Sequence, residues 1–113
     1  MAFSGNFMCT SFKKELMEAV HNFKNSGGNT FRMALYTDSS SFTAATTAYT
    51  SSNEITNDAG SAYTAKGESL TRVDPTTSST TAFTDFADVS WSTATFSAMG
   101  AMIFNDSASG DPS

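Results

Sequence analysis

TFRMALYT, residues 30–37, is the stretch on which the fold turns. Phe31, Met33 and Leu35 alternate with Arg32, Ala34 and Tyr36, the period of two that a strand with one buried face requires. Just upstream the period is different. Phe12, Leu16, Ala19, Val20 and Phe23 fall at i, i+4, i+7, i+8 and i+11, one stripe on a helix of about three turns. Lys13, Lys14, Glu15 and Glu18 lie off that stripe, and Thr10 or Ser11 stands where a cap is needed. His21 and Lys24 suit the negative end of the helix dipole, and Gly27-Gly28 supplies a left-handed stop. The change of period before Phe31 predicts one helix followed by strands.

Downstream of residue 37 the strand signals are shorter. Residues 42–49, FTAATTAY, read as a short helix or as a loop packed by its aromatics, and residues 53–56 as a short strand before a turn at 57–60. Residues 69–73 read as a strand with Leu70 and Arg72 near opposite faces; Asp74-Pro75 then opens a turn through the Ser/Thr run to Thr80. Residues 81–86 alternate again, Asp88 to Trp91 make a corner, and residues 94–104 form a long apolar strand in which Gly100 marks a bulge or a close approach. The expected architecture is an α+β, mainly β fold. An N-terminal arm (residues 1–9) and one helix precede about five antiparallel strands, sandwich-like, in a single domain over residues 10–104, with a polar tail at 105–113.

With 113 residues the chain has room for one small domain and a modest core. A net charge of −5 argues against sequence-independent nucleic-acid binding, which places several cations against phosphates. The apolar runs are far shorter than the ~20 residues of a membrane helix, and no basic and apolar leader opens the chain. One cysteine and one histidine make neither an internal disulfide nor a structural zinc site. Ser and Thr make up 35 of the residues, while only 15% are charged and 12% aromatic. Aromatic content at low charge favours a folded chain, here with small polar side chains where Lys and Glu are usual, a habit of extracellular, tail and capsid proteins. Residues 1–72 balance six cations with six acids, so the whole −5 falls on Asp74, Asp85, Asp88, Asp106 and Asp111. That final third is either a solvated acidic face or a surface for a basic partner.

Catalytic chemistry finds little support. His21 has Glu18 nearby in sequence but no motif around it, and no hydrolase signature flanks Cys9. Asp74, Asp85 and Asp88 lack the spacing of a calcium loop, and the phosphate-loop, nucleophile-elbow and zincin motifs are absent. The expectation is therefore no enzyme, no cofactor and no metal. Phe3, Phe7 and Met8 precede the helix with no stripe to join, and with Phe104 at the open end of the sheet they are the candidate interface. Tyr49, Tyr63 and Trp91 are the candidate aromatic platform for a glycan.

Several segments in order carry a resemblance: MAFSGNFMCTSFKKEL, FRMALYT, NEITNDAGSAYTAKGESLT and FTDFADVSWSTATFSAMGAMIFND. Together they cover most of the chain and resemble small virion proteins of tailed phages, especially marine ones, commonly labelled structural, decoration or tail-fibre proteins. Such proteins carry two further strands after the I-F-N-D element, so the resemblance implies either a fragment or a sheet completed by a neighbouring subunit. It implies a location in the phage particle and a non-enzymatic role in assembly, as a capsid decoration or cement protein. The alternative it implies is a tail or fibre protein that binds a host surface glycan. The partners expected are copies of the chain itself and other virion proteins, with no nucleic acid and no membrane. The uncharged closing strand, with no later strand to cover its edge, predicts a homo-oligomer or lattice, with a trimer as the working number.

Overall fold

A computed structural model of the chain describes residues 5–37, 39–56, 63–91 and 96–113. One short helix, α1 (Thr10–Met17), precedes five strands: β1 (Phe31–Tyr36), β2 (Glu68–Ser69), β3 (Arg72–Ser78), β4 (Thr81–Phe86) and β5 (Gly100–Asn105). All pair antiparallel, in a three-stranded sheet of order β2-β1-β5 and a two-stranded ribbon β3-β4. The α+β, mainly β architecture is as the sequence indicates. The two sheets meet near the base of the ribbon, where Phe86 lies 5.7 Å from Phe31, ring centre to ring centre.

The helix is shorter than its apolar stripe. It ends at Met17, and Ala19 turns the chain back with φ 60°. A helix continued to Phe23 would hold that ring about 16 Å along the axis from Phe12, whereas the two ring centres are 6.2 Å apart. The aromatic side chains decide against the longer helix. Phe12 meets His21 at 4.8 Å, Phe23 stacks on Phe31 at 4.5 Å, and the row continues to Phe86. Neither Thr10 nor Ser11 is the N-cap. Cys9 occupies that position without a side-chain cap, and the freed Thr10 N–H donates to the Ala44 carbonyl at 2.8 Å. The helix start is thus docked on the 42–49 loop, which is no helix and packs Phe42 and Tyr49 against the core. Gly28 serves a close approach rather than a helix stop: a Cβ there would lie 2.0 Å from the Lys24 carbonyl oxygen.

Strand β1 is central in its sheet, paired on both edges, and none of its side chains is fully exposed on either face. Phe31, Ala34 and Tyr36 are buried, and Arg32, Met33 and Leu35 are half-buried, in place of one wholly buried face. Ala34 and Tyr36 form a core with Met102 and Phe104 of β5. Residues 53–56 give a single bridge, Glu54 to Tyr36, and not a strand. The expected strand at 69–73 is split between β2 and β3, with Leu70 buried between them. Asp74-Pro75 is not a turn but the bulge of β3 between Val73 and Thr76, where a residue without N–H interrupts the ladder. The reversal comes later, at Ser79, with φ 55°. Of the strand expected at 94–104, residues 94–95 lie outside the described residues, residues 96–99 are not strand, and β5 begins at Gly100, opposite Tyr36. Residues 105–113 are not a free polar tail. They return alongside β5, with Asn105 N–H donating to the Pro112 carbonyl, and Pro112 bridges Ala48.

Candidate functional site

The edge of β5 is the feature that the hydrogen-bond pattern isolates. The carbonyls of Thr30, just before β1, and Tyr36 accept from Asp106 and Met99, whereas those of Phe31 and Leu35 accept from Leu70 and Ile55 on the other side. Even-numbered residues of β1 therefore face β5. With Arg32 opposite Phe104 and Ala34 opposite Met102, the even residues of β5 face β1 in return. Ala101, Ile103 and Asn105 point their N–H and C=O groups outward. Pro112 covers Asn105; Ala101 and Ile103 have no backbone partner among the described residues.

This open edge lies in a groove of about 410 Å³ that residues 5–9 of the arm also line. No Asp, Glu, Lys or Arg lines it among the described residues. Phe7, Met8, Met99 and Ile103 line it and are 44%, 54%, 63% and 43% exposed, large apolar side chains left in water. Of the four interface candidates, Phe7 and Met8 are placed on this surface, and Phe3 lies outside the described residues. Phe104 is corrected. It is 1% exposed and belongs to the core, because its parity turns it toward Tyr49, on which it stacks at 4.7 Å. The exposed large apolar side chains here are Ile103 of β5 and Met99 just before it, which sequence reasoning missed; the strand's parity, set by its pairing with β1, would have found Ile103.

His21 borders the same groove but is fully committed. The Asn105 amide oxygen accepts from the N–H groups of Ser107 and Ala108, at 2.9 and 3.2 Å, which turns its Nδ2 toward the histidine. Asn105 Nδ2 donates to His21 Nδ1 at 3.0 Å and to Asn29 Oδ1 at 3.1 Å. That leaves Nε2–H to donate to Glu15 Oε1, also at 3.0 Å. Both ring nitrogens thus tie the helix region to the end of β5. Glu18, the acid nearest in the sequence argument, pairs with Lys14 instead. Cys9 Sγ lies 3.6 Å from Ser113 Oγ. Neither residue is posed on the other.

A second polar centre lies on the other side of β1. Buried Glu54 accepts from the Tyr49 hydroxyl at 2.5 Å, from the Tyr63 hydroxyl, and from the Lys66 N–H at 2.8 Å. Tyr63 OH in turn accepts the Leu35 N–H, and Tyr36 OH donates to the Thr50 carbonyl. Burial, then the hydrogen bond to Glu54, pushes the Tyr49 hydroxyl up to about 12, and burial raises Tyr36 and Tyr63 still further. Of the aromatic-platform residues, Tyr63 is buried and Tyr49 and Trp91 are half-buried, each with its ring against another side chain. Trp91 stacks on the wholly buried Tyr63 at 6.0 Å, and Tyr49 stacks on Phe104 with the Lys66 ammonium beside both rings, 5.5 and 6.0 Å from their centres. Lys66 also reaches Asp106 and Asp111, at 3.0 and 2.6 Å, and these two carboxylates raise its pKa. Two of the five acids in the final third are therefore paired, across 40 and 45 residues of sequence. Among the described residues no three His, Cys, Asp or Glu side chains converge as metal ligands, and Asp74 instead accepts the Asn25 N–H at 2.7 Å.

Comparison with known protein families, with curated proteins and with solved structures finds no match to this chain.

Proposed function

We propose that this protein is a non-enzymatic structural component of a tailed-phage particle, a capsid decoration or cement protein that works through subunit contacts. The observation that carries the reading is the β5 edge, which among the described residues has no backbone partner at Ala101 and Ile103 and lies in a groove lined by no Asp, Glu, Lys or Arg, flanked by four exposed large apolar side chains. An unpaired strand edge is a liability in a free monomer and an asset in a lattice. The Ser/Thr-rich surface supports the same reading, because small side chains lose little rotamer freedom when a partner covers them. The sequence resemblance to small virion proteins supplies the setting.

A glycan-binding role gains nothing from Tyr49, Tyr63 and Trp91, whose rings pack on other protein groups. Labelled antibody against the protein, applied to purified particles and viewed by electron microscopy, tests the proposal. Label over the capsid faces is the expected result. Label confined to the tail would move the protein to the fibre class, and unlabelled particles would overturn a virion role.

A further inference from the structure

The groove beside β5 has the shape and chemistry of a strand-binding site, and the chain carries a segment that suits it. We propose that the N-terminal arm of one copy inserts into this groove of a second copy and adds a strand to the β5 edge. This deepens the assembly reading above and rests on it, by naming the partner and the surface.

Three features converge on that occupant. The first is charge: the groove contains no Asp, Glu, Lys or Arg among the described residues, and the first twelve residues of the chain carry no charged side chain. Burying an unpaired charge there would be costly, and the side chains of the arm bring none. The second is the backbone. Ala101 and Ile103 present outward N–H and C=O groups without backbone partners, and the main chain of residues 5–8 likewise makes no backbone hydrogen bond to the described residues. Pairing the two sets satisfies both, as strand addition at a sheet edge does. The third is attachment. The fold grips the chain from Thr10 onward, through the Thr10 N–H bond to Ala44. Before it the polar contact is Cys9 Sγ to Ser113 Oγ, at 3.6 Å. Phe7 and Met8, half in water now, would be buried against Met99 and Ile103 of the second copy. The contact is head-to-tail, arm to groove, so it closes into a ring, a trimer among them, or runs on as an open array.

Sedimentation of the purified full-length chain at micromolar concentration tests this. The unaltered protein is expected to associate with increasing concentration. Ala101→Pro deletes one outward N–H and no bond to β1; Ile103→Lys places an ammonium at an exposed position in a groove lined, among the described residues, by no Asp, Glu, Lys or Arg. Either should weaken association by about tenfold or more, and the second guards against misfolding of the first. Phe7→Asp with Met8→Asp disables the arm and leaves the β5 edge, at Ala101 and Ile103, unaltered. An equimolar mixture of the arm variant and a groove variant should form a one-to-one dimer and nothing larger, since one arm and one groove remain. Variants that associate like the parent, a mixture that stays monomeric, or a parent that stays monomeric would each overturn the inference. A monomeric parent that still decorates capsids would do so while leaving the proposed function standing. Arm exchange in solution with no label on particles would do the reverse.

Discussion

The β1–β5 pair and the β3–β4 ribbon are both antiparallel ladders, and they are held by different physics. In the first, Phe104 and Met102 are buried against Ala34 and Tyr36, with Phe42 and Tyr49 packed alongside. In the second, all but Arg72 and Phe86, at the open end of the ribbon, are exposed, including Val73 and Phe83. Thr76 faces Phe83, Thr77 faces Ala82 and Ser78 faces Thr81, pairs that bring β-propensity but little burial. A two-stranded hairpin alone is marginal in water. This one is moored at its base, where Arg72 donates to the carbonyls of Asn25 and Asn29 and Asp74 accepts the Asn25 N–H. Backbone pairing thus shapes both regions, whereas burial stabilises only one.

The comparison is tested most severely at Phe104. Phe104→Ala should cost about 3–5 kcal/mol, the range for emptying an aromatic site in a packed core, read as a lower urea midpoint at unchanged m-value. A loss below about 1 kcal/mol would show that the β1–β5 core is not the main source of stability. Next comes the polar centre behind β1. Glu54→Gln leaves one oxygen to serve the donors of Tyr49, Tyr63 and Lys66 and turns an amide N–H₂ toward the rest, for about 2–3 kcal/mol. An undiminished midpoint would mean that the carboxylate is not what those donors need.

The same centre makes stability depend on pH in a defined direction. Tyr36, Tyr49 and Tyr63 all have hydroxyls raised above the ordinary value of 10.0. The native state holds those protons at a pH where the unfolded chain has released them. Their contribution is therefore complete below pH 10 and is lost as pH rises through about 12, where Tyr49 titrates. Urea midpoints measured across that range should be level first and then fall, and Tyr49→Phe should make the fall shallower by one proton. A midpoint that stays level to pH 12 would contradict the buried hydroxyl network.

The sequence made the pairing region legible and left the attachments hidden. The alternation in residues 30–37 and 81–86 became β1 and β4 because each is a local, period-two signal. The stripe from Phe12 to Phe23 misled, since an aromatic row across a reversed chain has the same residue types as a helical face. Asp74-Pro75 was legible as an irregularity, but a proline that breaks a ladder suits a bulge as well as a turn. Of the candidate site, the exposed Phe7 and Met8 were legible because they join no local stripe. Phe104 and Ile103 are neighbours in one apolar run, and only the parity set by pairing with β1 separates core from edge. Partners such as Lys66 with Asp111, or His21 with Asn105, depend on contacts between distant segments that no local pattern encodes.

The smallest expected effect lies at the far end of the ribbon and tests the comparison from the other side. Phe83 is as large as Phe104 but 48% exposed, opposite Thr76 with no core beneath it. Phe83→Ala should cost less than about 1 kcal/mol, since it creates no cavity and forfeits only partial burial. Native-state hydrogen exchange supplies a reading that does not depend on mutation. Ladder amides of β3 and β4 beyond the bulge should exchange through local openings well below the global unfolding free energy, and those of β1 should exchange near the global value. The Arg72 mooring lies at the opposite end, so Arg72→Met should speed exchange along the ribbon more than in β1. Equal protection in the two regions, together with a loss at Phe83 near that at Phe104, would mean that the ribbon is part of the cooperative core and that its exposed faces contribute more than burial accounts for.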